Sequence, residues 1–214
     1  MKQTDVQYIA DIETISDEEL LRRLDSETET HLISCVNWPE FPYTPEVSFN
    51  MGYSDRSLAV LFKVKEDHVL AKAMESNGPV WEDSCVEIFI DSHDSTDYFN
   101  FETNCIGTRL ASRRRSRTDA DHFSNEEIEK IRTFGSLPHH TVDSEGEGQA
   151  WWRVVVVPFE MVGHDKAPES LKANFYKCGD KCRRMHFLSW SEIDLPSPDF
   201  HCPKFFGTLN LCRP

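Results

Sequence analysis

No run of apolar residues in this chain reaches the ~18 that a membrane-spanning helix needs, so no helical span is predicted. The first residues, MKQTDVQYIADIE, also lack the apolar stretch and small-residue cleavage site of a secretory signal. The expectation is a cytoplasmic protein if Met1 is the native start, and a secreted or periplasmic one if a signal has been removed. Positive charge is in deficit: 23 Lys and Arg stand against 37 Asp and Glu, a net charge of -14. Such a chain repels polyanions and anionic surfaces, which disfavours nucleic-acid and membrane partners and suits neutral or cationic ligands. The 7 cysteines are odd in number and scattered, so they make no disulfide framework and reduced thiols are expected. Cys178 and Cys182 have the wrong spacing for a thioredoxin-type pair, and no second pair completes a zinc ribbon.

What the chain does have is enough apolar material for a core, 39% of its residues with 14 Phe and 5 Trp. A compact chain of this length buries about 70% of its unfolded surface without staples. Most periodic stretches alternate with period two, as in Leu58, Val60, Phe62 and Val64, or Phe99, Phe101, Thr103 and Cys105, or Trp152, Val154 and Val156. Further strands are predicted near 31–37, 47–53, 67–72, 107–115, 172–177, 185–190 and 205–211. Turn signals such as Asn77-Gly78-Pro79, Gly146 to Gly148 and Pro196 to Pro198 separate them. Many short strands in this pattern predict an all-β fold, an immunoglobulin-like or jelly-roll-like β-sandwich of two antiparallel sheets. Ser16 with Glu19, and Ser124 with Glu127, have capping-box spacing and predict two short peripheral helices. Residues 1–214 read as a single domain, with 1–29 an N-terminal extension carrying the first helix. The acidic segment 143–148 reads as a loop.

The candidate chemistry gathers around VWEDSCVEIFID, Val80 to Asp91. In a strand from Ser84 to Asp91, Val86, Ile88 and Ile90 share one face and look like core, while Cys85, Glu87, Phe89 and Asp91 share the other. A glutamate beside a phenylalanine on one face fits a half-buried surface lining a cleft. Trp81 sits at a loop-to-strand junction, where an exposed ring can stack on a sugar while carboxylates accept its hydroxyl hydrogens; any single tryptophan can equally be core. Trp190 closes another apparent strand, and Trp151 and Trp152 point to opposite faces of one strand, so at least one of them is core. Arg109 in RLASRRRSR either pairs at a solvated strand end or reaches into the Glu87 cleft to donate to hydroxyls. Glu82 or Asp83 with Glu87 would supply the two acids of a glycoside hydrolase. Asp91, Asp94 and Asp97 in one loop invite a Ca²⁺ reading, although Thr96 and His93 break the EF-hand pattern and a solvated turn is the plainer reading.

VWEDSCVEIFID, then YFNFETNCIGT, then PDFHCPKFFGTLNL, resemble carbohydrate-binding module family 9, particularly its stand-alone members, over roughly residues 30 to 212. The resemblance implies a β-sandwich of the kind shared with DOMON-type domains and non-catalytic binding of glucose- or xylose-type saccharides such as cellulose and xylan fragments. It also implies that Trp81 and Trp190 clamp a sugar ring while Glu87 and Arg109 hydrogen-bond its hydroxyls. No cofactor is required on this reading; members of the family also bind structural Ca²⁺, and a glycoside hydrolase is the implied partner. The rival expectations are a hydrolase using Glu82 or Asp83 with Glu87, and a haem-binding redox domain drawing on Met51, Met74 or Met161 with histidines.

Overall fold

The computed structural model describes residues 2–91, 97–211 and 213. The chain opens with β1 (Gln3–Asp5) and β2 (Gln7–Tyr8), followed by helix α1 (Asp17–Glu27). Ser16 caps α1 by accepting the Glu19 N–H at 3.2 Å, and Leu20 and Leu24, one turn apart, give it a single apolar face. Then come β3 (Thr30–Leu32), β4 (Cys35–Val36), β5 (Glu46–Tyr53) and the long β6 (Ser57–Ala71). A meander of β7 (Cys85–Asp91), β8 (Tyr98–Asn104), β9 (Arg109–Arg114) and β10 (Ala120–His122) leads to the one-turn α2 (Asn125–Ile128), closed by a complete capping box. The remainder is β11 (Arg132–Gly135), β12 (Val142–Pro158), β13 (Ser170–Cys178), β14 (Phe187–Ser189) and β15 (Gly207–Asn210).

These strands form the two sheets of a β-sandwich. One runs β1-β15-β13-β7-β8-β9-β10, with β14 paired to β13 and β4 to β14; the other runs β11-β12-β6-β5-β2, with β3 also on β5. Pairing is antiparallel except at two edges, where β1 lies parallel to β15 and β2 parallel to β5. Both exceptions come from the first residues, which cross from one sheet to the other. Residues 2–29 add a strand to each sheet, and α1 covers the outside of the second.

Three apolar layers result. Between the sheets, Val86, Ile88, Ile90, Phe101 and Phe175 meet Phe49, Phe62, Val64 and Trp151. Outside the second sheet, Leu20 and Leu24 of α1 cover Ala59, Leu61, Val154 and Val156. Outside the first sheet, Cys85, Phe89, Leu110 and Tyr176 are covered by irregular chain bearing Trp38, Ile193, Phe200 and Phe206. This third layer is where Glu87 points.

Two polar-looking stretches differ from the sequence expectation. The runs predicted separately at 58–64 and 67–72 are one strand, with Glu66 buried between them: its Oε1 accepts Trp151 Nε1–H at 2.6 Å and its Oε2 forms an ion pair with buried Lys177 at 3.0 Å. Segment 143–148 is not a free loop either, since β12 continues through it with a register shift between Glu145 and Gln149, a bulge that absorbs the glycines.

Candidate functional site

Gly78-Pro79 leads into a single 3-10 turn, Val80–Glu82, that leaves the Trp81 ring 38% exposed. Asp83 pins this turn. Its carboxylate accepts the Lys72 and Ala73 N–H groups at 2.9 and 3.0 Å and Asn104 Nδ2 at 2.9 Å, tying it to the end of β6 and to β8. The Asp180 and Lys181 N–H groups donate to the Trp81 and Glu82 carbonyls, so the loop after β13 is held against the same turn.

Below Trp81 lies a cleft of about 320 Å³, with Glu87, Glu102, Arg114, Cys178, Asp180 and Phe200 among its lining residues. Register explains the convergence. Glu87 on β7 lies opposite Glu102 on β8 and Tyr176 on β13, and Glu102 lies opposite Leu110 on β9, so the cleft face of β9 carries Leu110, Ser112 and Arg114. Phe200 stacks on Tyr176 with ring centroids 4.1 Å apart, Phe187 stands beside it, and both phenylalanines line the cleft together with Trp81. Arg117 and His201 line the rim; Arg117 Nη1 donates to the Pro198 carbonyl, and the Tyr98 hydroxyl pairs with His201 Nδ1 at 2.9 Å.

The electrostatics are unusual for a solvent-reached cleft. Burial, and then the facing Glu102, hold the Glu87 carboxyl well above the ordinary carboxylate range. Burial likewise pushes Glu102 up to about 7, against the pull of the Asn100 amide and Arg114, and pushes Asp180 up to about 6 with help from Glu82. Cys178 Sγ–H donates to Glu87 Oε1 at 3.0 Å, and Asn100 Nδ2 donates to Glu102 Oε1 at 2.7 Å, while Glu102 Oε2 is buried without a partner. Arg114 directs Nε to Asn100 and Nη1 to the Arg117 carbonyl. The arrangement offers acceptors at its floor, a guanidinium at its side and one exposed aromatic face at its mouth.

Of the four residues proposed from the sequence, Trp81 and Glu87 are brought together and Arg109 and Trp190 are not. Arg109 sits opposite Thr103, on the other parity of β9, and donates to the Ile128 and Ile131 carbonyls and to Glu129, closing the α2 turn. Trp190 is 2% exposed and packs between the sheets against Phe49 and Phe175, because the backbone at 190 bonds back to Phe175 and turns the ring inward. Glu82 pairs with Lys181 at the rim, and Asp83 is consumed by the turn. Asp97 pairs with Arg113, Asp91 ends β7, and Asp94 lies outside the described residues. Met51 and Met161 pack in the interior, while Met74 is exposed.

Sequence reasoning missed Glu102, Arg114, Asp180, Phe187 and Phe200. Two of these had a signal. Counting the β7–β8–β9 hairpins in alternating parity puts Glu102 and Arg114 on the Glu87 face, whereas the loop residues carry no such period.

Residues 18–211 match the family described as carbohydrate-binding family 9. Among curated proteins none matches the chain. Among solved structures, a candidate carbohydrate-binding protein from Bacteroides uniformis is 36% identical over 98% of this chain and 99% of its own, with a TM-score of 0.92. A family 9 carbohydrate-binding module from Caldicellulosiruptor kristjanssonii in complex with glucose is 16% identical over 99% of this chain and 96% of its own, with a TM-score of 0.63. A structure of such a module from the same organism with cellotriose is 15% identical over 98% and 93%, with a TM-score of 0.60. At such low identity the Caldicellulosiruptor modules establish no more than the shared fold. The family match across most of the sequence, together with the Bacteroides relative, establishes that this chain belongs to carbohydrate-binding family 9.

Proposed function

We propose that the cleft binds one sugar ring of a glucose- or xylose-type saccharide without catalysing its cleavage. The observation that carries this reading is the exposed Trp81 ring standing over a floor of carboxylates. An aromatic face takes the C–H side of a pyranose, and Glu87, Glu102 and Asp180 accept its hydroxyls while Arg114 donates. The glucose and cellotriose held by the Caldicellulosiruptor modules support the choice of ligand class. A two-tryptophan clamp does not fit, since Trp190 lies in the core; the other aromatic side chains lining the cleft are Phe187, Phe200 and His201. Non-catalytic binding is supported by the register: Glu87 and Glu102 are direct cross-strand neighbours on one wall, whereas glycoside hydrolysis needs acids flanking the bond from opposite sides. On this reading the chain serves as an accessory to a glycoside hydrolase.

Titration of glucose, cellobiose, xylose and xylobiose against tryptophan fluorescence tests the proposal. A saturable change is expected in the parent protein, lost in Trp81→Ala and weakened in Glu87→Gln. Stacking contributes about 1–3 kcal/mol per aromatic face, so affinity is modest. A folded parent protein that responds to none of these sugars would overturn the reading.

A further inference from the structure

β7 and β13 are antiparallel neighbours, and their register sets Cys85 directly opposite Cys178. Cys85 and Glu87, two residues apart on β7, project from the same face. Three donor groups therefore converge from two strands. The Cys85 and Cys178 sulfurs and a Glu87 oxygen all lie within 4.8 Å of one another, and Cys178 Sγ already touches Glu87 Oε1 at 3.0 Å. All three side chains are buried, yet Glu87 and Cys178 line the cleft, which gives an ion a path from solvent.

A second observation points the same way. Glu102 stands opposite Glu87 on the next strand, and its Oε2 is buried without a hydrogen-bond partner. A buried acceptor left without a partner is costly. The nearby guanidinium of Arg114 is partly engaged elsewhere, with Nε on Asn100 and Nη1 on a backbone carbonyl. An unsatisfied buried acceptor thus stands beside a ready set of donors.

The geometry points to a metal site for a zinc-class divalent cation, formed by Cys85, Cys178 and Glu87. Two sulfurs select a borderline-soft tetrahedral ion over Ca²⁺ or Mg²⁺, which prefer all-oxygen shells. Three protein donors leave a fourth position open. Each thiol releases its proton to solvent as its metal–sulfur bond forms, so uptake is accompanied by proton release. With Oε1 turned to the sulfurs, Glu87 keeps its second oxygen for the cleft, and the site does not depend on the saccharide reading.

The full chain, stripped with a chelator and kept reduced, is titrated with Co²⁺ as a spectroscopic probe. One equivalent per chain is expected, with a thiolate-to-cobalt charge-transfer band and tetrahedral d–d bands that Zn²⁺ abolishes. Cys178→Ser and Cys85→Ser lose the charge-transfer intensity, and Glu87→Gln weakens binding by at least about tenfold. Cys35→Ser, remote from the cleft, leaves the spectrum unchanged. X-ray absorption on the zinc-loaded parent protein, counting two sulfurs in the shell, needs no variant to fold. Absence of both the band and retained zinc in the folded parent protein overturns the proposal, as does a band that survives loss of both Cys85 and Cys178.

Discussion

Trp81 and Trp190 each follow a short apolar approach in the sequence, yet one lies at the mouth of the cleft and the other in the core. What separates them is the backbone beneath. Trp81 rides a turn that Asp83 ties to the end of β6 and to β8, whereas the Trp190 N–H bonds to the Phe175 carbonyl and its ring enters the space between the sheets. Gly207 marks how tightly that space is filled, since a Cβ there would come within 2.4 Å of the Trp190 ring and 2.8 Å of the Lys2 carbonyl. Gly207→Ala is therefore expected to destabilise the fold by about 1–3 kcal/mol through overpacking. Trp190→Ala is expected to cost about 3–5 kcal/mol through the cavity it leaves. Trp81→Ala, at an exposed position, should stay within about 0.5 kcal/mol of the parent protein. Urea denaturation of the three variants checks this ordering, and equal losses for Trp81→Ala and Trp190→Ala would contradict it. Neither ring's fate was legible in composition or period, because nothing local to residue 190 records the Phe175 contact.

At the scale of elements, the sequence was most legible where alternation holds. The division of β7 into an apolar inner set and a Glu87 outer set is what the structure has, since Val86, Ile88 and Ile90 lie between the sheets. The same rule, carried through the two hairpins, would have chosen Arg114 over Arg109, because cross-strand register preserves the face. The arginines consequently do different work. Arg109→Ala removes donors from the Ile128 and Ile131 carbonyls and should cost about 1–3 kcal/mol of stability while leaving ligand affinity unchanged. Arg114→Met should weaken saccharide binding at least about tenfold, the loss of one charge-assisted hydrogen bond. Paired denaturation and fluorescence titrations separate the two, and a loss of affinity in Arg109→Ala alone would reverse the assignment. The irregular elements were opaque for a physical reason: the chain bearing Asp180 and Phe200 has no period, and only long-range contacts fix it.

Across the whole molecule, the burial of ionisable groups that closes the third apolar layer makes stability depend on pH. His201 is held down to about 3, chiefly by burial and then by Arg114 and Arg117, and His186 is held well below its ordinary value by burial and then by Lys177. Between the unfolded value near 6.5 and the folded value, the unfolded chain binds a proton that the folded one refuses. The stabilising contribution of a neutral His201 is therefore present above about pH 6.5 and is lost as the pH falls toward 3. Glu102 and Asp180, held up to about 7 and about 6, act with the opposite sign, because the folded state keeps protons there that the unfolded chain has released. The total slope is a difference between these two sets, so only comparison with a variant isolates one group. His201→Asn can retain a polar partner for the Tyr98 hydroxyl while removing the titration. Relative to this variant, the parent protein should lose about 1–2 kcal/mol more stability between pH 7.5 and pH 5. Urea denaturation at the two pH values provides the measurement, and equal losses in both proteins would mean that His201 titrates alike folded and unfolded.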